Sequence, residues 1–275
     1  MPTTIELHSR IKGFVEQLAA STDQVRTSRE LTDYLSFCAR FHNYSFHNTI
    51  LIFCQRPDAT RVAGFQTWKS MGRFVRKGEK GIAILAPIGV KKKDDETDEE
   101  TIVTRFRTVY VFDLSQTEGE ELPEVEVLSH SACAFDLTTA LTDFAGAQQI
   151  KVETSTLHGS LYGVSKGGTV VISDALEGAD RFAVLAHEIA HELLGHKAKH
   201  GELDRKTREI EAETAANVVC RYFTVPSAAP NYLALHGANG KEVTDRLSNI
   251  VHVVQQIISG IESRLNPRLN AAANS

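Results

Sequence analysis

The stretch Ala186-His187-Glu188-Ile189-Ala190-His191-Glu192 places two histidines and a carboxylate at a spacing suited to metal chemistry. Residues four apart on a helix project from one face, so His187 and His191 can each offer an imidazole nitrogen to a shared ion. Apolar residues surround the pair and predict a mostly buried helix: Phe182, Val184, Leu185, Ile189, Leu193 and Leu194. The stretch therefore predicts a metal-binding helix inside a folded domain.

The spacing is the H-E-x-x-H pattern of zinc metallopeptidases. Two histidines and a third protein ligand leave one position on Zn²⁺ for water, and Glu188 stands beside that position. A carboxylate there can act as general base and then as general acid in peptide hydrolysis. We therefore predict His187 and His191 as zinc ligands and Glu188 as the catalytic residue. The competing interpretation is a chance spacing on an ordinary helix.

A third ligand is not fixed by these residues. Leu194 and Lys197 stand where a three-histidine site would carry Gly and His, which excludes that kind of site. Gly195 predicts the end of the helix, so His196 is a poor ligand candidate, although it could support the ligands or face a substrate. A second helix is predicted over residues 208–219. It offers three carboxylates, those of Glu209, Glu211 and Glu213.

This second helix resembles the gluzincin pattern, in which a glutamate on the following helix completes the site. An Asp or Asn four residues later supports the ligands in that pattern. The resemblance implies Glu213 as the third metal ligand and Asn217 as the supporting residue, with Glu209 and Glu211 as competitors.

The composition is that of a soluble globular protein. The chain has 275 residues, 42% hydrophobic and 24% charged, which is enough for one large or two medium domains. It shows neither a basic segment followed by an apolar run at its start nor eighteen consecutive apolar residues, so we expect a cytoplasmic protein without a membrane partner. The four cysteines are widely spaced without a C-x-x-C pair, which indicates buried thiols.

Charge is segregated along the chain. Residues 1–93 hold 15 basic and 7 acidic side chains, residues 94–126 hold 2 and 12, and residues 127–275 hold 13 and 16. Together with the motifs, this predicts an α+β protein with a first domain over 1–115, an acidic linker over 116–126 and a second domain over 127–275. The first domain should be helical with a β-hairpin made by strands at 82–85 and 109–112.

Residues 61–81 combine six basic side chains with a single acid, Glu79, and with Phe65, Trp68 and Phe74. Cations neutralise phosphates and aromatic rings stack on unpaired bases, so this region favours single-stranded DNA over duplex. Trp68 and Phe74 could equally be core residues of a small domain.

Three groups of motifs resemble the ArdC antirestriction family: Tyr44-Ser45-Phe46-His47-Asn48-Thr49-Ile50-Leu51-Ile52; Trp68 with Gly72 and Val75-Arg76-Lys77-Gly78-Glu79-Lys80-Gly81; and Val111-Phe112-Asp113-Leu114-Ser115-Gln116-Thr117-Glu118-Gly119. The resemblance implies a single-stranded-DNA-binding domain followed by a zincin-like metallopeptidase domain. It implies an antirestriction, DNA-protecting role for a mobile element. Candidate DNA-binding residues are Tyr44, Asn48, Trp68, Lys69, Arg73, Arg76, Lys77 and Lys80.

Two functions remain open from the sequence. One is a zinc peptidase located on DNA, which cleaves a DNA-associated protein or regulator. The other is a non-catalytic protein that shields single-stranded DNA and keeps zinc for structure. An open metal position beside Glu188 would favour the first function, and a closed four-ligand site the second.

Overall fold

A computed structural model describes residues 2–20, 24–93, 100–122, 134–159, 161–199, 201–227 and 240–265. The chain is mixed α+β, as predicted, and it divides into two compact units. Its helices are α1 (Thr4–Ala20), α2 (Gln24–Arg40), α3 (Phe46–Gln55), α4 (Phe65–Ser70), α5 (Ala134–Ala147), α6 (Gly178–Leu193), α7 (Arg205–Tyr222) and α8 (Gly240–Leu265). Its strands are β1 (Val62–Gly64), β2 (Arg73–Val75), β3 (Ile82–Lys93), β4 (Glu100–Asp113), β5 (Thr117–Gly119), β6 (Lys151–Ser155), β7 (Gly163–Ser165) and β8 (Thr169–Ser173).

The first unit, residues 1–20 and 44–123, is built on the predicted hairpin. Strands β3 and β4 pair antiparallel with Ile82 opposite Val111, and β1 adds to the other edge of β4. Helices α1 and α3 pack against each other and against β3. The apolar stripe of α1 is buried as its helical spacing predicts, at Leu7, Ile11, Val15 and Leu18.

Side-chain amides of α3 satisfy the open edge of β3. Asn48 donates to the carbonyl of Leu85 and accepts from its N–H, both at 2.9 Å. Gln55 does the same for Ala83, at 2.9 and 3.0 Å. Seven residues span about two helical turns, so both amides lie on the face of α3 that meets the strand. They replace a neighbouring strand at these two positions and block edge-to-edge pairing there.

The second unit, residues 21–43 and 124–275, carries the H-E-x-x-H helix. Its sheet has the order β6-β8-β7, with β6 parallel and β7 antiparallel to the central β8. Helices α5, α6, α7 and α8 pack against one another, and Gly260 of α8 lets the ring of Phe144 on α5 approach closely. Within the described residues, no helix has the length and apolar character needed to cross a membrane.

The compact units differ from the predicted division of the chain in two places. Helix α2 lies within the predicted first domain of residues 1–115, yet it packs on α7 and α8 of the second unit. The predicted linker of residues 116–126 begins with folded structure, because β5 pairs with β2 and Gln116 is buried. The rest of that linker from residue 123 lies outside the described residues, as do residues 94–99 of the predicted hairpin tip.

Candidate functional site

Helix α6 holds the histidine pair and ends where the sequence predicts. Gly195 has a φ of 69°, a conformation that other residues adopt only with strain. The N–H of Gly195 bonds the carbonyl of Glu192 at 3.0 Å, and the N–H of His196 bonds that of His191 at 3.1 Å. These two bonds make a Schellman C-terminal motif, which turns the chain back toward α6.

The two imidazoles converge on one point together with a carboxylate from α7. Nε2 of His187 and Nε2 of His191 are 3.1 Å apart, and Oε2 of Glu209 lies 3.6 and 3.5 Å from them. Ligand atoms on a tetrahedral zinc ion with bonds of about 2.0–2.1 Å lie about 3.3–3.4 Å from one another. The three donor atoms therefore fit one divalent metal ion, and they form a candidate metal site.

The structure places Glu209 at this point, where the gluzincin resemblance implies Glu213. Both residues lie on the same face of α7, one turn apart, and Glu213 lines the same cavity. Glu211 points elsewhere, since its carboxylate meets His196 and Arg246. The amide of Asn217 donates to the hydroxyl of Ser227 at 2.8 Å, and its predicted role in supporting a ligand stays a prediction.

Glu188 lies between α6 and strand β7 and is 8% exposed. A Cβ on Gly163 would come within 2.8 Å of Glu188 Cγ and Oε1, so the absent side chain of Gly163 makes the room for this carboxylate. Burial raises the pKa of Glu188 to about 6. A cavity of about 700 Å³ opens over Glu188, His187, His191 and Glu209. Such a carboxyl group can exchange a proton with a group bound in the cavity.

Burial and neighbouring charges shift the pKa values of the three groups at the candidate metal site. Burial and the neighbouring His187 lower the pKa of His191 to about 4, which favours its neutral, ligating form. Burial opposes protonation of His187 as well, but the carboxylates of Glu209 and Glu188 outweigh it and raise its pKa. The hydrogen bond from His187 lowers the pKa of Glu209 to about 2, against the effect of burial. Imidazole and ionised carboxylate are the donor types that a divalent metal needs.

Glu192, next to His191, anchors the β7–β8 hairpin to α6. Its carboxylate accepts from the hydroxyl of Ser165 at 2.7 Å and from the N–H groups of Gly167 and Gly168 at 2.8 and 2.7 Å. This contact fixes the strand that lines the cavity. Sequence reasoning missed both Glu192 and Gly163, although an acid directly after the motif and a glycine inside a short strand were visible signals.

Of the DNA-binding candidates in the first unit, Trp68 is in the core. Its side chain is 0% exposed, and its Nε1–H donates to the carbonyl of Phe112 at 2.8 Å. The interpretation of Trp68 as a base-stacking residue is therefore wrong for this structure, because the ring has no free face. Phe65 and Phe74, by contrast, are exposed to solvent, at 49% and 52%.

The remaining DNA-binding candidates separate into two groups. Four of them donate hydrogen bonds to backbone carbonyls of the same unit. Asn48 donates to Leu85, Tyr44 to Val62, and both Arg73 and Arg76 to Thr117. Lys69, Lys77 and Lys80 are exposed. Among these candidates, the three lysines are therefore the exposed side chains that none of these structural hydrogen bonds involves.

Comparisons with known proteins find relatives of this chain. Residues 7–112 match the family model for the N-terminal domain of anti-restriction factor ArdC. An uncharacterized protein of Bacillus anthracis is 26% identical over 88% of this chain, which spans about half (49%) of that relative. A metal-free crystal structure of antirestriction protein ArdC from plasmid R388 covers 87% of this chain and 98% of its own, with a TM-score of 0.53 and 18% identity. The Mn(II)-bound structure of the same protein has a TM-score of 0.46 and 17% identity over 84% and 97% of the two chains.

Fold and site define a two-unit α+β protein with a candidate divalent-metal centre on its second unit. The family match over residues 7–112 covers most of the first unit together with α2, and it confirms the resemblance to the ArdC antirestriction family that the sequence motifs predicted.

Proposed function

We propose that this protein is a zinc peptidase that acts beside single-stranded DNA, in the antirestriction defence of a mobile element. The observation that carries the proposal is the convergence of His187, His191 and Glu209 on one point, with Glu188 buried beside it. Two histidines and a glutamate with an open position form a ligand set that catalytic zinc uses. The 700 Å³ cavity above the three donors favours an open site over a closed structural one.

Each residue then has a task. His187, His191 and Glu209 would hold the ion, which supplies Lewis acidity toward a carbonyl group and water. Glu188 takes a proton from the attacking water and delivers it to the leaving amine. Its pKa of about 6 suits both directions of transfer near neutral pH. Strand β7 is an edge strand beside the cavity, so an extended peptide can pair with it.

For DNA, the proposal rests on the exposed part of residues 61–81. Lys69, Lys77 and Lys80 can neutralise phosphates, while Phe65 and Phe74 offer faces on which bases can stack. Both rings are about half exposed and lie in a segment with these lysines, an arrangement that suits a ligand with both anionic and aromatic parts. Single-stranded DNA has both.

The test of the peptidase uses full-length protein, loaded with zinc and incubated with denatured casein, with products identified by mass spectrometry. We expect cleavage by the wild type and none by Glu188→Gln, which should still bind zinc because Glu188 is outside the ligand set. Cleavage by Glu188→Gln at the wild-type rate would overturn the proposed chemistry. No cleavage by either form, with zinc bound in both, would favour the non-catalytic shielding protein.

The test of DNA binding compares two triple variants. Replacing Lys69, Lys77 and Lys80 by Ala should reduce the salt dependence of single-stranded-DNA binding by about two units, at about 0.7 per phosphate contact. Replacing Lys12, Lys151 and Lys206, three other exposed lysines, should leave it unchanged. Phe74→Ala should weaken binding by about 1–3 kcal/mol at unchanged thermal stability. Equal salt slopes for the two triple variants would exclude this face.

A further inference from the structure

A chain of hydrogen bonds starts at Nδ1 of His191. This nitrogen is on the side of the ring away from the metal point, where Nε2 of His187, Nε2 of His191 and Oε2 of Glu209 converge. Nδ1 of His191 lies 2.8 Å from Nδ1 of His196, and Nε2 of His196 lies 3.0 Å from Oε2 of Glu211. The other oxygen of Glu211 accepts from Nε of Arg246 on α8 at 2.6 Å. The proposed function uses Nε2 of His191 and leaves this network without a task.

The network is buried. His196 and Glu211 are 3% and 4% exposed, and the guanidinium of Arg246 pairs with the Glu211 carboxylate. Placing an ionised group inside a protein is costly unless partners compensate for it. A purely apolar contact between α6, α7 and α8 would avoid that cost, so the polar chain calls for a reason.

With Glu211 ionised and His196 neutral, the hydrogen-bonding capacity of each group fixes where the protons lie. An ionised carboxylate only accepts, so Nε2 of His196 must donate to Glu211. A neutral imidazole that donates through Nε2 can only accept through Nδ1, so Nδ1 of His191 must be the donor in the next bond. Nε2 of His191 then carries a free lone pair, directed at His187 and Glu209. That is the tautomer a metal ligand needs.

Local sequence explains how His196 reaches this position. Without the left-handed Gly195, the helix would continue and carry residue 196 away from the ring of His191. The Schellman bond from the N–H of His196 to the carbonyl of His191 places the two residues side by side. Glu211 lies two positions after Glu209, so α7 presents one carboxylate to the metal point and another to His196.

We propose that His196 and Glu211 are positioning residues, which fix the tautomer and the ring orientation of His191 for metal binding. The inference rests on the proposed metal site. Metal-ligating histidines generally donate their second nitrogen to a carboxylate, a carbonyl or water, and here a second histidine carries the effect of Glu211 to the ligand. The plain alternative is a polar contact that only holds three helices together.

The experiment measures zinc affinity of the full-length, metal-free protein in competition with a chelator of known affinity. Glu211→Gln and His196→Leu should each bind zinc about 10–100-fold more weakly than the wild type. His196→Asn should lose less than His196→Leu, because its side-chain oxygen can still accept from Nδ1 of His191. The matched control is Glu262→Gln, which removes another half-buried carboxylate of the same unit, bonded to His42 and Tyr222.

A structural role and a positioning role give different results. If the network only holds helices, Glu211→Gln and Glu262→Gln should both lower the melting temperature and leave zinc affinity within twofold of the wild type, which would overturn the inference. Nitrogen-15 NMR of the zinc-loaded wild type should also show His196 protonated on Nε2. A proton on its Nδ1 would contradict the proposed direction of the bonds. Failure of the wild type to bind zinc would instead overturn the proposed metal site.

Discussion

At the scale of single residues, two glutamates on one face of α7 are candidates for the third ligand of the proposed metal site. Glu209 has its carboxylate 3.5–3.6 Å from both imidazoles, so Glu209→Gln should weaken zinc binding by more than the roughly 10–100-fold typical of a supporting residue. Glu213→Gln should stay near the wild type. Zinc content after dialysis, measured by elemental analysis, checks both variants. Loss of zinc in Glu213→Gln alone would restore the ligand implied by the gluzincin pattern.

The sequence could predict His187, Glu188 and His191 because their relation is set within one helix. A separation of four residues has the same meaning on every α-helix. Glu209 and Glu213 are related to that helix through residues 194–204, whose path no periodicity describes. Glu209 and Glu213 share one face of α7 and lie one turn, about 5.4 Å, apart along the helix axis, so helical spacing alone does not choose between them.

Gly163 gives a second prediction at this scale. A Cβ there would come within 2.8 Å of both Glu188 and Val184, closer than real contacts allow, so Gly163→Ala should displace Glu188 or push β7 away from α6. We expect zinc affinity within a few-fold of wild type and at least a tenfold loss of any peptidase activity. Gly146→Ala is the matched control, because its Cβ would meet nothing within 4 Å. Equal activity of the two variants would show that the close approach is unimportant.

At the scale of elements, the pairing of α3 with the edge of β3 explains a residue that the sequence assigns to DNA. Asn48→Leu would leave the N–H and carbonyl of Leu85 without their amide partner, at a cost of about 1–3 kcal/mol. We therefore expect a lower free energy of unfolding, measured by urea denaturation, and faster hydrogen exchange at the Leu85 amide. The salt dependence of DNA binding should not change.

The matched variant for this prediction is Gln55→Leu, which removes the equivalent pair of bonds at Ala83. It should destabilise the protein to a similar degree. An Asn48→Leu protein of wild-type stability that binds single-stranded DNA weakly would show that Asn48 contacts DNA after all.

In the first unit, the short strands and the side-chain hydrogen bonds to distant backbone groups could not be predicted from the sequence. The hairpin of β3 and β4 has a clear apolar pattern and was predicted with its pairing. Strand β5 has three residues, two of them exposed, and it is held by its pairing with β2. The turn before it is anchored by Asp113, which accepts from the N–H groups of Thr60, Arg61 and Ser115. Such contacts join distant parts of the chain, so an acidic, glycine-containing segment resembles a linker until its partners are known.

At the scale of the whole molecule, the second unit takes α2 from a distant part of the sequence. The stripe of α2 is apolar enough to predict burial, but nothing in that pattern tells which partner buries it. In the structure, α2 packs against α7 and α8. Within this packing His42, just after α2, lies 3.1 Å from the carboxylate of Glu262 on α8, and the hydroxyl of Tyr222 on α7 donates to the same carboxylate. This polar contact links the residue that follows α2 to helices α7 and α8.

The contact predicts how stability depends on pH. Burial disfavours the charged form of His42, but the bond to Glu262 outweighs this effect and raises the His42 pKa above 6.5. Burial likewise disfavours the charged form of Glu262, but the bonds from His42 and Tyr222 outweigh it and lower the Glu262 pKa below 4.5. The stabilisation by His42 is thus complete below pH 6.5 and is lost as pH rises through its folded pKa. The part due to Glu262 is present above pH 4.5 and is lost as pH falls through its lower folded value. Both act together between about pH 4.5 and 6.5.

Removing His42 should therefore flatten the pH dependence of unfolding at the alkaline side of this window. Between pH 6 and pH 8, the melting temperature of the metal-free wild type should fall further than that of His42→Asn. A charge-assisted bond of about 1.5–3 kcal/mol and a shift of about 2–4 °C per kcal/mol set the scale of that difference. Because Glu262→Gln removes the same ion pair from the other side, it should reproduce the flatter profile. Parallel profiles for the wild type and His42→Asn would mean that His42 does not change its protonation state across this range, which would contradict the predicted pH dependence.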